Sequence, residues 1–144
     1  MQKFKLYPEK HNKQYYEVII FDREENMFKY SNSINRKMDH NFQAVAHSYD
    51  AYYKYKKKMK RSPLIGSILF YKNNFGVGVV SHELAHATTY YFGKHKIKFQ
   101  IGNKPKPTED WKKKDEAYSH ILGHMVNQFW KKYNGRIKTK SEDY

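Results

Sequence analysis

Two histidines four apart with a glutamate directly after the first, His82-Glu83-Leu84-Ala85-His86, are the residues of this 144-residue chain best suited to chemistry. On a helix, positions i and i+4 share one face, so both rings can aim a nitrogen at a point about 2 Å from each, the length of a zinc–imidazole bond. Glu83 stands about 100° round the axis from His82, angled to reach a water on the metal rather than the metal itself. It is the candidate general base. In a chain with 8 histidines an accidental H-E-x-x-H has a probability of roughly 2 in 100.

A catalytic zinc takes three protein ligands and keeps its fourth position for water. The extended pattern H-E-x-x-H-x-x-G-x-x-H breaks down here, with Thr89 in place of its glycine and Phe92 in place of its third histidine. The chain has no cysteine, so the third ligand must be another imidazole or a carboxylate. Downstream, in KKKDEAYSHILGHMVNQFW, helical spacing puts Tyr118, Ile121, Leu122, Met125 and Phe129 on a buried stripe and Glu116, His120, Gly123 and Asn127 on an adjacent one. Glu116 is then expected to face the first helix as the third ligand. Asp115, shorter and about 100° away, is its competitor, and His95 is another. His120 is a candidate donor to the oxyanion of a substrate carbonyl, weighed against a role as a polar flank of the core stripe. His124 reads as such a flank, and Tyr90 and Tyr118 are further donor candidates.

HELAH followed some thirty residues later by DEAYSHILG is similar to the minimal gluzincins, compact zinc metallopeptidases that include the ImmA/IrrE-type and small phage-encoded zincin-like proteins. The likeness covers residues 66 to 130, with HELAH specific in residue type and the second segment looser. It implies zinc held by His82, His86 and Glu116, proton transfer by Glu83, and hydrolysis of peptide bonds in a protein or peptide substrate. It also implies a strand leading into the metal helix, and SILFYKNN stands at that place. A different zincin group, the SprT-like proteases, acts at DNA and uses a third histidine beyond the helix, the role His95 would fill. A domain of this type that binds a protein or nucleic-acid partner and cleaves nothing is the rival from another class.

The elements that must position these residues can be read coarsely. YYEVIIFDREENMFKYS, residues 15 to 31, predicts a hairpin of two β-branched and aromatic runs about a charged turn. From Asp39 to Met59, Phe42, Val45, Ala46, Tyr49, Tyr52 and Tyr53 recur at three- and four-residue intervals, which predicts a long N-terminal helix closed by Ser62-Pro63. GSILFYKNN reads as a strand and turn, with SILFY a candidate to pair with an extended substrate. Phe75 to Phe92 reads as a helix stopped by Gly93, with Val77, Val80, Leu84 and Thr88 inward and Val79, His82, His86 and Tyr90 on the other side. Gly76 and Gly78 lack the full phosphate-cradle pattern, and close packing is their expected role. HKIKFQI predicts a strand, GNKPKP a loop, and Thr108 the N-cap of a last helix running to Tyr133. The expected architecture is α+β and zincin-like: a small, mostly antiparallel sheet, one long N-terminal helix and two metal-bearing helices.

The length suits one domain, residues 1 to 135, with 136 to 144 a frayed basic tail. The N-terminal stretch has no apolar signal core, and no run approaches a membrane span of about 18 apolar residues. A cytoplasmic protein is expected. Lys and Arg number 28 against 14 Asp and Glu, a formal charge of +14 that attracts polyanions and makes nucleic acid a second partner class. The lysines cluster in YKYKKKMKR, in WKKKDE and in WKKYNGRIKTK. Interleaved aromatics give the first of these the look of a nucleic-acid stripe. Helical spacing instead assigns its tyrosines to the core and leaves a solvated lysine face.

Overall fold

Phe4 and Leu6 are buried while Lys3 and Lys5 are exposed, an alternation that makes a strand half covered by core, β1 (Gln2–Leu6). The runs YYEVIIF and LIGSILFY are buried almost throughout and form the two central strands, β2 (Tyr15–Phe21) and β6 (Leu64–Tyr71). With β3 (Ala44–Ser48) they complete a four-stranded sheet in the order β1-β2-β6-β3. The β2–β6 pair is parallel and the two outer pairs are antiparallel. The computed structural model describes residues 1–10, 12–34, 44–49, 52–72, 76–94 and 109–137. Within them lie three helices, α1 (Glu24–Ile34), α2 (Val77–Lys94) and α3 (Glu109–Ile137), and a separate hairpin of β4 (Tyr52–Tyr55) and β5 (Lys58–Arg61). No described helix is long and apolar enough to cross a membrane.

The sheet is covered on both faces. Ile19, Phe21 and Leu69 pack with Met27 and Phe28 of α1. Val18, Ile20, Ile68 and Phe70 pack with Val80, Leu84 and Ala87 of α2 and with Ile121, Met125 and Phe129 of α3. Phe129 sets its edge against Phe4 and Phe70, with ring centroids 5.4 and 5.5 Å away. The amide of Gln128 holds the end of β1 by accepting from Tyr7 N–H at 3.1 Å and donating to Tyr7 C=O at 2.7 Å.

The expected long N-terminal helix is not formed by the described residues. The described part of residues 39 to 59 forms β3 and most of the β4–β5 hairpin. The true period there is two: Ala44 and Ala46 turn toward α2 and α3, and Val45 and His47 toward α1. With 14 tyrosines in the chain, three- and four-residue aromatic spacings arise without a helix. Phe42 lies outside the described residues. The expected hairpin over residues 15 to 31 is also corrected. Its first run is β2 and its second is α1, where Glu24 and Glu25 complement the positive end of the helix dipole and Met27, Phe28 and Ser31 form the buried side. The sheet is thus mixed and served by three helices, in place of the expected long helix plus two. SILFY is a central strand with both edges occupied, so it cannot receive a substrate strand.

The expectations for α2 and for the buried stripe of α3 agree with the structure to within a few residues, although α3 continues past Asn134-Gly135 to Ile137. Two details differ: Val77 is exposed, and a Cβ at Gly76 or Gly78 would meet open space, so neither glycine serves close packing. HKIKFQI, GNKPKP and Thr108 lie outside the described residues, as do residues 138–144 of the expected tail.

Candidate metal centre

Helix α2 is anchored from its apolar side. Val80, Leu84, Ala87 and Thr88 are buried against the sheet, and Tyr16 reaches from β2 to donate to the Ala87 carbonyl at 2.9 Å. Burial pushes the Tyr16 phenol up to about 12, so it remains a donor throughout the neutral range. This anchoring turns His82 and His86 to the exposed side.

There the two rings converge. Their Nε2 atoms stand 3.1 Å apart, with ring centroids at 4.6 Å and an interplanar angle of 84°. Two nitrogens each bonded to one tetrahedral zinc lie roughly 3.3 Å apart, so the pair is already near the spacing a single ion imposes. The donor set fits as well, because neutral imidazoles are common zinc ligands and the chain offers no thiolate. Tyr90 stacks beside His86 at 6.4 Å.

Glu83 is buried, 8% exposed, with its carboxyl beside the backbone amide of Ala46 in β3. Strand parity explains the contact. Tyr49 N–H donates to Ile65 C=O at 3.0 Å, so alternate amides, including that of Ala46, point away from β6. Among the described residues no strand pairs with that edge of β3. Burial raises the Glu83 carboxyl above its ordinary value, and His86, His82 and the Ala46 amide act in the opposite direction. A carboxylate raised in this way is a better proton acceptor than a solvated one.

Tyr118 fixes α3 alongside α2. Its hydroxyl donates to Ala85 C=O at 3.0 Å and lies 3.2 Å from Thr89 Oγ1, and its ring tilts on Phe92 at 5.5 Å. At about 100° per residue, Glu116 is turned about 160° from Tyr118, whereas Asp115 is turned about 60°. Glu116 is accordingly exposed and Asp115 half-buried. Among the described residues no three of His, Cys, Asp and Glu converge as a metal-holding group, so the expected meeting of Glu116 with His82 and His86 is not made in this conformation. The reason is phase: the stripe that carries Glu116 lies opposite the side that touches α2.

His120 shares that stripe. It lines a groove of ≈ 1130 Å³ between α3 and the β1–β2 connection, together with Glu9, Lys10, Lys13, Ile121 and His124. Neither His82 nor His86 lines this groove, so His120 is not brought to the pair as an oxyanion donor. Burial first, and then His120, Lys10 and Lys132, lower the His124 imidazole. His95 lies outside the described residues. Sequence reasoning missed Tyr16 and the Ala46 amide, since both act across contacts remote in sequence. Comparison of the chain with protein-family models, with curated proteins and with solved structures finds no match.

Proposed function

We propose that this chain is a zinc-dependent metallopeptidase that works in the cytoplasm on a protein or peptide substrate. The observation that carries the reading is the convergence of His82 and His86 at 3.1 Å, with the buried Glu83 carboxylate between them in sequence and beside them in space. The resemblance of HELAH and DEAYSHILG to the minimal gluzincins agrees with it. His82 and His86 would hold the ion, with a carboxylate from the early turns of α3 as third ligand. The resemblance assigns Glu116 to that place, and the phase of α3 favours Asp115. A bound zinc supplies Lewis acidity, which activates both the scissile carbonyl and the attacking water.

The chain's own residues do the rest. Glu83 takes the proton of the attacking water and returns it to the leaving amine. An extended peptide laid along the outward edge of β3 would pass beside Glu83.

The test is Glu83→Gln on zinc-loaded protein. The variant keeps its zinc and loses hydrolysis of an unfolded protein substrate, whereas His82→Ala loses the zinc. Turnover retained in Glu83→Gln would exclude Glu83 as the base. Failure of the unaltered protein to take up zinc would end the metallopeptidase reading.

A further inference from the structure

We propose that the β4–β5 hairpin is a basic arm that binds duplex DNA by entering its major groove. Among the described residues the hairpin forms a sheet of its own and packs against no other strand or helix, with Arg61 at its base sharing a shallow pocket with Ser48, Tyr49 and Lys94. Its ten residues, YYKYKKKMKR, contain no acid and six cations: Lys54, Lys56, Lys57, Lys58, Lys60 and Arg61, all exposed. The register pairs Tyr55 with Lys58, Lys54 with Met59, Tyr53 with Lys60 and Tyr52 with Arg61. Cross-strand partners share a face, so Lys58 and Lys60 lie on one side of the ribbon and Lys54 and Arg61 on the other. Lys56 and Lys57 occupy the tip.

That tip is costly to build. Lys56 and Lys57 have φ of 48° and 64°, the left-handed pair of a type I′ turn, for which Asn-Gly is the favourable choice. Two side chains that disfavour this backbone, and that repel each other, stand where the turn chemistry would place neither. An isolated two-stranded hairpin is marginal in water, and the ten residues of this one hold six cations and no acid of their own. A bound polyanion offsets the repulsion among these cations.

The shape selects among polyanions. The major groove of B-form DNA, about 12 Å wide, admits a two-stranded ribbon and lines it with phosphates on both sides, which suits cations on both faces. The major groove of A-form RNA is too narrow for side chains to read. A single strand calls for an open aromatic platform, but Lys60 and Lys56 stand over the Tyr55 ring at 4.7 and 5.4 Å. Anionic lipid would also attract these cations, but a flat surface meets one face of a ribbon, whereas here both faces and the tip carry cations. The spacing that would assign these tyrosines to a helix core vanishes with the helix.

The experiment measures binding of the full chain to a labelled mixed-sequence duplex by fluorescence anisotropy as a function of salt. The double variant Lys56→Asn, Lys57→Gly keeps the type I′ turn with better turn residues while removing two cations. It should reduce the slope of log K against log salt by about 1.8 and weaken binding by at least about tenfold near 0.1 M salt. Lys58→Gln with Lys60→Gln should do the same. Unaltered slope and affinity in both double variants would overturn the proposal. So would no duplex binding by the native chain, or tighter binding of single strands, duplex RNA or phosphatidylserine vesicles than of duplex DNA. The readout is binding, so failure of the metallopeptidase reading leaves this test intact.

Discussion

Gly66 lies in β6 opposite Ser48 of the edge strand, with the Tyr16 ring against it. A Cβ placed there would sit 2.1 Å from the His47 carbonyl oxygen and 2.7 Å from the Tyr16 ring. The first obstacle is backbone, so it cannot be relieved by a rotamer change. The strands must separate by roughly 1 Å to restore ordinary contact, in a core with almost no slack. Overpacking costs about 1–3 kcal/mol, and loss of a β3–β6 ladder bond adds about 1 kcal/mol. Gly66→Ala should therefore lose about 3 kcal/mol, or roughly 10 °C in Tm for a domain of this size. Equilibrium urea unfolding followed by circular dichroism measures it. Adding Tyr16→Leu to Gly66→Ala should not recover the loss, because the clash with the His47 oxygen remains. A loss below about 1 kcal/mol for Gly66→Ala would refute the reasoning, since it would mean that β3 moves away from β6 at little cost.

Tyr16→Phe removes the hydroxyl bonded to Ala87 C=O and should cost about 1 kcal/mol, read as a drop of a few degrees in Tm. His47 is buried, its Nε2 lies 2.7 Å from Ser31 Oγ, and burial lowers its pKa in the fold. The unfolded chain then binds the proton more readily, so this contribution is complete above about pH 6.5 and declines as pH falls through that value toward the lower folded pKa. His47→Gln should flatten the pH dependence of Tm below about pH 6.5, and an unchanged profile would count against it. Competition with a chromophoric chelator separates the two carboxylates of α3. Asp115→Asn should weaken zinc binding on the order of 100-fold while Glu116→Gln leaves it nearly unchanged, and the reverse result would return the ligand to Glu116.

The parts of this chain legible in its sequence are those in which neighbours along the chain are also neighbours in space. The His82/His86 pair, the inward stripe through Val80, Leu84 and Thr88, and the α3 stripe through Ile121, Met125 and Phe129 all follow from helical period. β1 carries an alternation in KFKL that sequence reasoning passed over. Residues 44 to 61 mislead because abundant tyrosine satisfies a helical spacing by accident, while the two-residue period of β3 spans only five positions. The contact between Glu83 and the Ala46 amide has no local signature, being decided by which amides of β3 face outward. Glu116 and Asp115 are adjacent in the chain, and the phase of α3 on α2 that tells them apart is set by tertiary contacts such as that of Tyr118 with Ala85.

The seat of Glu83 has a consequence for solubility. An uncapped sheet margin is a template on which a second chain can zip, and proteins suppress this with charge placed at the margin. The carboxylate of Glu83 lies beside one outward amide of β3 and puts a negative charge over it. The side chain proposed for proton transfer is thereby also a guard against self-stacking, and a chain shortened to alanine there leaves the Ala46 amide of that margin uncovered.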